Sequence, residues 1–119
     1  MMLKRNLIKA EIAVERIVQN DDLLIVGVIV NFGTIYIGDT FNYLYKIRNF
    51  ELVEFDSGKV RTEMSRKREV ALQVKSIEFR GSYLETISQG YSAQIKLDGI
   101  GKDLIEAPDD FLGIITSSS

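Results

Sequence analysis

Residues 23–39, LLIVGVIVNFGTIYIGD, constrain the fold more than any other stretch of this chain. Their first part is mostly β-branched, which favours a packed, pleated strand. Gly27 interrupts that strand, at a position typical of a bulge, a sharp bend or a close approach of backbone. Gly33 and Gly38 then provide two turns a few residues apart. Two turns so close together around a bent strand favour a small closed barrel over a flat sheet.

The rest of the apolar pattern also has the period of two that is typical of strands. Residues 7–18, 70–79 and 91–97 alternate, residues 111–115 form a last short strand, and no segment has a long apolar stripe of helical period. Along residues 40–47, the alternation predicts that Phe41, Tyr43 and Tyr45 share one face. Residues 83–88 fit either one helical turn or a short strand, and residues 102–106 predict one turn of helix before Pro108.

Residues 48–69 form the segment that fits a simple barrel least well. Residues 50–55 and 59–63 flank the turn sequence Asp56-Ser57-Gly58, which predicts a hairpin. We expect a break at Arg48-Asn49 before it and a charged connector at residues 65–69 after it. The sequence thus predicts a single all-β domain over residues 1–119, a closed, Greek-key-like barrel of six or seven strands. Its core covers about residues 7–115, with an added hairpin at about 48–69 and a frayed tail at 116–119.

Composition narrows the classes of function. The 119 residues include no cysteine and no histidine, which excludes thiolate chemistry and the commonest general base, and makes a zinc site improbable. The net charge of −2 gives no overall attraction to nucleic acid. No apolar run approaches the roughly 20 residues that span a membrane, and the N-terminus has no apolar core of a signal peptide. We therefore expect a cytoplasmic, non-enzymatic module with no cofactor, no metal and no membrane contact.

Several segments resemble one known domain in order and spacing. Residues 27–39, GVIVNFGTIYIGD, resemble the G-x-V…G-x-[IV]-x-x-G-[DE] signature of the β-barrel second domain of translational GTPases of the elongation factor Tu type. Residues 74–79, VKSIEF, resemble that domain's [TV]-x-[GS]-[IV]-E-[MF] strand. Residues 84–97 and 99–106 resemble its later segments. The resemblance covers residues 7–115 and implies a translation-factor barrel.

The same resemblance has limits and consequences. No G-x-x-x-x-G-K-[ST] motif occurs, so it implies a barrel without a GTPase domain and no nucleotide hydrolysis. Residues 48–69 are longer than the family's usual connection, and residues 108–110 replace its usual R-G. In elongation factors this barrel contacts the aminoacyl end of transfer RNA, and in related GTPases it contacts ribosomal RNA. The corresponding positions here are Glu15-Arg16 and Phe79-Arg80.

The densest positive charge lies in and after the predicted hairpin. As a binding site it would contact phosphates through its basic side chains and stack bases on an aromatic one; its members are Lys59, Arg61, Arg66, Lys67, Arg68 and Phe55. The sequence itself favours a solvated surface instead, because nearby acids almost balance these charges. The adjacent acids Asp21-Asp22 and Asp109-Asp110 likewise fit turns better than a cation site.

Three functions remain open on the sequence alone. The leading hypothesis is a non-enzymatic module that binds a protein partner through apolar hairpin residues, namely Phe50, Leu52, Val53 and Phe55. The alternative is a module associated with RNA or the ribosome, as the family resemblance implies. A small-ligand or enzymatic barrel would need a pocket with convergent polar groups, which the sequence does not reveal.

Overall fold

A computed structural model describes residues 6–20, 22–50 and 61–117, with side chains for residues 8–20, 22–47 and 66–116. The described elements are nine strands and one short turn of 3₁₀-helix, Lys102–Leu104. The strands are β1 (Asn6–Asn20), β2 (Leu24–Phe32), β3 (Thr34–Tyr36), β4 (Thr40–Phe50), β5 (Arg61–Phe79), β6 (Ser82–Leu84), β7 (Thr86–Ser88), β8 (Ser92–Ile100) and β9 (Asp110–Ser117).

Six of these strands form a closed antiparallel barrel. Their order is β4-β9-β1-β2-β8-β5, and pairing of β5 with β4 closes the ring. β6 pairs with the end of β5, and β3 with β7 forms a separate two-stranded ribbon. The predicted all-β closed barrel is confirmed. Residues 83–88, left open between helix and strand, form β6 and β7.

The barrel interior is filled by the alternating apolar residues of all six strands. The fully buried side chains include Ile12, Val26, Leu72, Ile95 and Leu112. The predicted face of β4 is partly wrong, because Phe41 and Leu44 both enter the core. The strand changes phase at Asn42, whose side chain accepts from the N–H of Ile115 and donates to its carbonyl, both at 2.8 Å. This amide replaces one step of the backbone pairing between β4 and β9.

The described parts of the segment predicted to be an inserted hairpin, residues 48–50 and 61–69, continue two barrel strands. β4 runs through Arg48 and Asn49, which pair with Glu63 and Thr62, so the expected break there is wrong. Residues 65–69, expected to be a connector, lie within β5. A strand with polar side chains can continue into solvent as long as it is paired with another strand. The hydrogen bonds between the two strands then satisfy its backbone N–H and C=O groups. The predicted turn at residues 56–58 lies outside the described residues.

The end of the chain also differs from expectation. The last strand was predicted at residues 111–115 with a frayed tail after it. β9 extends to Ser117, because β1 begins at Asn6 and supplies a pairing partner as far as Ser117. The predicted single helical turn after residue 101 is present as the 3₁₀ turn.

One polar cluster is buried in the barrel wall on the side opposite Leu44. The Tyr45 hydroxyl donates to Oε2 of Glu11 at 2.6 Å, and Asn31 Nδ2 donates to Oε1 of the same carboxylate. Glu11 is 4% exposed and Tyr45 1%. Tyr45 reaches Glu11 by crossing Gly113, where a Cβ would lie 2.3 Å from the hydroxyl. Burial, followed by the hydrogen bond that Tyr45 donates to Glu11, raises the pKa of Tyr45.

Candidate binding groove

A bulge in β1 creates one wall of an open groove on the outside of the barrel. The register of β1 against β2 shifts between Val14 and Arg16, so Glu15 is the extra residue. Such a bulge breaks the alternation of side chains and re-aims its neighbours. Glu15 and Arg16 are both exposed, as are the remaining residues of β1 up to Asn20.

Gly27 lets the Arg16 side chain lie flat across the neighbouring strand. The two residues are paired, and a Cβ on Gly27 would lie 3.0 Å from Cγ and 3.1 Å from Nε of Arg16. The sequence suggested a bulge, a sharp bend or a close approach at Gly27. The structure shows a close approach, in which the Arg16 side chain lies against the Gly27 backbone. The bulge itself is on the partner strand.

The groove follows a row of residues that are cross-strand neighbours over five strands. Arg16 pairs with Gly27, Gly27 with Gln94, Gln94 with Glu78, and Glu78 with Tyr83. Directly opposed residues in antiparallel strands project to the same face. The row therefore places a guanidinium, an amide, a carboxylate and a phenol side by side on the outer surface.

The turn between β5 and β6 forms the other wall. Phe79 pairs with Ser82, and the two residues between them, Arg80 and Gly81, have φ of 51° and 82°. Positive φ at both central positions defines a type I′ turn, whose twist matches that of the flanking strands. Arg80 places its guanidinium carbon 5.1 Å from the centre of the Phe79 ring, within range of a cation–π contact.

The open groove consists of two adjoining compartments that share Phe79. The main groove has a volume of about 380 Å³, and its lining residues are Glu15, Arg16, Gly27, Val28, Glu78, Phe79, Arg80, Gly81, Ser92, Ala93 and Gln94. A smaller compartment of about 180 Å³ lies between Phe79, Leu84, Ile87 and Tyr91. Tyr91 meets Phe79 edge-on at 5.9 Å between ring centres and is 56% exposed. An aromatic surface thus borders a polar groove.

The charged side chains that line the groove do not form ion pairs with one another. Arg16, Arg80, Glu15 and Glu78 form no ion pair within 4.0 Å among the described residues, whose three ion pairs all involve Lys46 or Lys102. Two cations, two carboxylates and the Gln94 amide therefore keep donors and acceptors for a ligand. Guanidinium groups suit phosphate, while carboxylates accept from hydroxyl and amino groups. Together with an aromatic face, this set suits a nucleotide better than a bare phosphate chain.

The structure brings together one of the two predicted groups of site residues. Glu15, Arg16, Phe79 and Arg80, taken from the family resemblance, all line the groove. Sequence reasoning missed Glu78 and Gln94, and it did not assign Tyr91 to this site. The period-two pattern places each of them on a strand. Only the strand order shows that Gln94 lies between Gly27 and Glu78.

The described members of the predicted basic cluster do not line this groove. Arg66, Lys67 and Arg68 are exposed on β5 before the barrel closes. Lys59, Phe55 and the side chain of Arg61 lie outside the part of the chain that the structure describes. Within the described part, no group of three or more acidic, His or Cys side chains is arranged to bind a metal. Nor does any helix there have the length and apolar character to cross a membrane.

Comparison with known proteins gives a match in structure alone. No protein-family model and no curated protein sequence matches the chain. Among solved structures, it is similar to translation elongation factor SelB from Methanococcus maripaludis in its apo form, with a TM-score of 0.56 and 13% identity. The match covers 87% of this chain and 18% of that one. The fold is that of a translation-factor β-barrel. The predicted resemblance is confirmed at the level of the fold, and this chain spans less than a fifth of the length of the SelB chain.

Proposed function

We propose that this translation-factor barrel is a translation-related binding module that holds the end of an RNA strand in the groove. The observation that supports the proposal is the convergence of Arg16, Arg80, Glu78 and Phe79 around one open space of about 380 Å³. Arginine binds phosphate, the carboxylate accepts from ribose hydroxyls or base amino groups, and the aromatic ring stacks a base. In this proposal the module binds its ligand and does not catalyse a reaction.

Two further features support a strand end over a continuous strand. The groove is short, since it lies between the β1 bulge at Glu15 and the turn at Arg80-Gly81. Its equal number of cations and carboxylates makes it a poor track for a long phosphate backbone, which attracts consistently basic surfaces. A terminal nucleotide offers hydroxyls for the carboxylates as well as phosphate for the arginines.

The protein-partner hypothesis has no comparable support. It depends on Phe50, Leu52, Val53 and Phe55, and their side chains lie outside the described residues. It stays a prediction of the sequence.

The proposal is tested by binding of a fluorescently labelled 12-nucleotide single-stranded RNA, compared with the same RNA circularised so that it has no ends. We expect the linear RNA to bind at least tenfold more tightly. Replacing Arg16 with Gln removes one charge-assisted contact and should weaken binding of the linear RNA by roughly tenfold, the equivalent of about 1.4 kcal/mol. Lys9→Gln is the matched control, because Lys9 is an exposed cation seven residues earlier on the same strand.

Gly27→Ala tests the shape of the groove without changing its charge. The new Cβ would push the Arg16 side chain off the sheet, so we expect binding to weaken while net charge stays constant. Equal affinity for linear and circular RNA, or equal behaviour of Arg16→Gln and Lys9→Gln, would rule out the strand-end proposal.

A further inference from the structure

The β4–β5 ribbon carries a second basic surface that the groove does not include. Pairing of β5 with β8 begins at Ala71, and before that residue no described strand pairs with this edge of β5. Arg66, Lys67 and Arg68 lie on this stretch, and all three are exposed. We name these three residues the ribbon cluster. No described acidic side chain lies within 4.0 Å of any of their charged groups.

A bulge brings two of these charges to one side of the ribbon, while Arg68 lies on the other face, opposite the core residue Leu44. Leu44 pairs with Arg68 and Lys46 with Ser65, so Arg66 and Lys67 together oppose the single residue Tyr45. Arg66 adopts φ of 53°, in the left-handed region that an arginine rarely occupies. Lys67 places Nζ 4.3 Å from the centre of the Tyr43 ring. This contact directs one ammonium group over an aromatic face and keeps it near the bulge.

We propose that the ribbon cluster is a second RNA contact, which binds the phosphate backbone away from the strand end. The inference rests on the proposed function, because it assumes that RNA is the ligand class. It adds a site that recognises phosphates by charge alone, in contrast to the mixed donors and acceptors of the groove. Consecutive exposed cations that form no ion pair with a described acidic side chain suit a phosphate chain, which offers regularly spaced anions.

The two sites are too far apart for one nucleotide to occupy both. Arg66 and Arg80 are fourteen residues apart on the same run of chain, and a strand rises about 3.3 Å per residue, less where it is bulged. The path along β5 from the ribbon cluster to the turn at the groove is therefore roughly 40 Å. A trinucleotide fills the groove alone, whereas a long strand can reach both sites.

The same residues have a purely structural alternative with a different consequence. Charged side chains and bulges on an unpaired edge prevent strands of other molecules from adding to it. If the ribbon cluster only protects the edge of β5, neutralising it would cause self-association and leave RNA binding unchanged.

The test measures affinity against salt for a trinucleotide and for a 20-nucleotide single-stranded RNA. For single strands the slope of log K against log salt is about 0.7 per phosphate contact. R66Q/K67Q/R68Q should therefore lower the slope for the long RNA by about 2 and leave the trinucleotide unaffected. K9Q/K75Q/K96Q removes the same charge from other positions and should leave both slopes unchanged. Arg68→Gln alone, which retains the Lys67–Tyr43 contact, should lower the slope by about 0.7.

Each result decides the question. Equal slopes for the ribbon-cluster variant and its control overturn the inference, and self-association of that variant with an unchanged slope assigns the edge-protecting role instead. Failure of the strand-end proposal looks different: Arg16→Gln would then not weaken the trinucleotide. A loss of slope with the long RNA would still place a contact at the ribbon cluster in that case.

Discussion

Replacing Gly113 with Ala should destabilise the barrel far more than a single methyl group on a surface strand normally does. The backbone at this position tolerates a side chain, since its φ is not positive. The obstacle is Tyr45, because the new Cβ would lie 2.3 Å from its hydroxyl oxygen and 2.9 Å from Cε2. Tyr45 is 1% exposed, so its ring cannot escape into solvent. It must shift away from the Glu11 carboxylate.

The expected cost has two parts. Overpacking at a well-packed site costs about 1–3 kcal/mol. Losing the hydrogen bond to a buried carboxylate, which spans 2.6 Å here, costs about 1.5–3 kcal/mol. We therefore expect Gly113→Ala to reduce the free energy of unfolding by about 3–5 kcal/mol. For a domain of this size that lowers the melting temperature by roughly 10–20 °C.

A double-mutant cycle separates this mechanism from a general loss of packing. Tyr45→Phe removes the hydroxyl, which is the atom nearest to the new Cβ, and should cost about 2 kcal/mol because Glu11 loses a donor. Gly113→Ala should then cost at least about 1 kcal/mol less in the Tyr45→Phe background than in the parent. Urea unfolding of all four proteins measures the coupling. If the two costs add to within about 0.5 kcal/mol, Tyr45 is not what makes Gly113 necessary.

The same cluster makes the stability depend on alkaline pH. The folded protein raises the pKa of Tyr45 through burial first and the Glu11 hydrogen bond second, whereas the unfolded chain releases this proton near pH 10. The stabilisation is fully present below about pH 10 and is lost as pH rises above it, since the unfolded state then binds fewer protons. We expect the stability difference between the parent and Tyr45→Phe to shrink by about 1.4 kcal/mol between about pH 9 and pH 11. A constant difference would contradict this.

Two other polar contacts allow simpler predictions. Asn42→Ala removes both hydrogen bonds to the backbone of Ile115 and should cost about 2 kcal/mol in urea unfolding. Asn42→Asp should cost at least as much near neutral pH, because its carboxylate has no donor for the Ile115 carbonyl. Asp110→Asn should cost about 1–3 kcal/mol, because Asp110 is 1% exposed, binds Lys46 Nζ at 2.7 Å and accepts from the N–H of Glu106 at 2.6 Å. An unchanged unfolding midpoint in either case would show that the contact contributes no net stability.

The barrel could be predicted because each strand with one face in the core keeps its period-two alternation in the sequence. The closely spaced glycines mark the turns between such strands. The sequence-based limits of β4 and β5 were wrong. Arg48 and Asn49 look like a break in the sequence, but in the structure they pair with residues of β5. The sequence also could not reveal the Glu11–Tyr45 cluster. An acid among alternating polar positions is normally solvated, and only strand order shows that Tyr45 crosses Gly113 to reach Glu11.

The groove also depends on strand order, which the sequence pattern does not show. The family resemblance named Glu15-Arg16 and Phe79-Arg80, two pairs that lie more than sixty residues apart in the sequence. Nothing in their local pattern joins them. They meet because β2 and β8 lie between β1 and β5, so that Gly27 and Gln94 complete the row from Arg16 to Glu78.

This arrangement explains why Gly27 matters more to the groove than to the strand. A larger residue would satisfy the β2 ladder and extend the β-branched run, so strand propensity alone would favour replacing Gly27. It would also occupy the space over which Arg16 now lies, where a Cβ already comes within 3.0 Å of Cγ. Gly27→Val should therefore cost little stability, because Arg16 is exposed and can move, while it weakens RNA binding. A variant that loses stability and binding in parallel would instead show that Gly27 serves the fold.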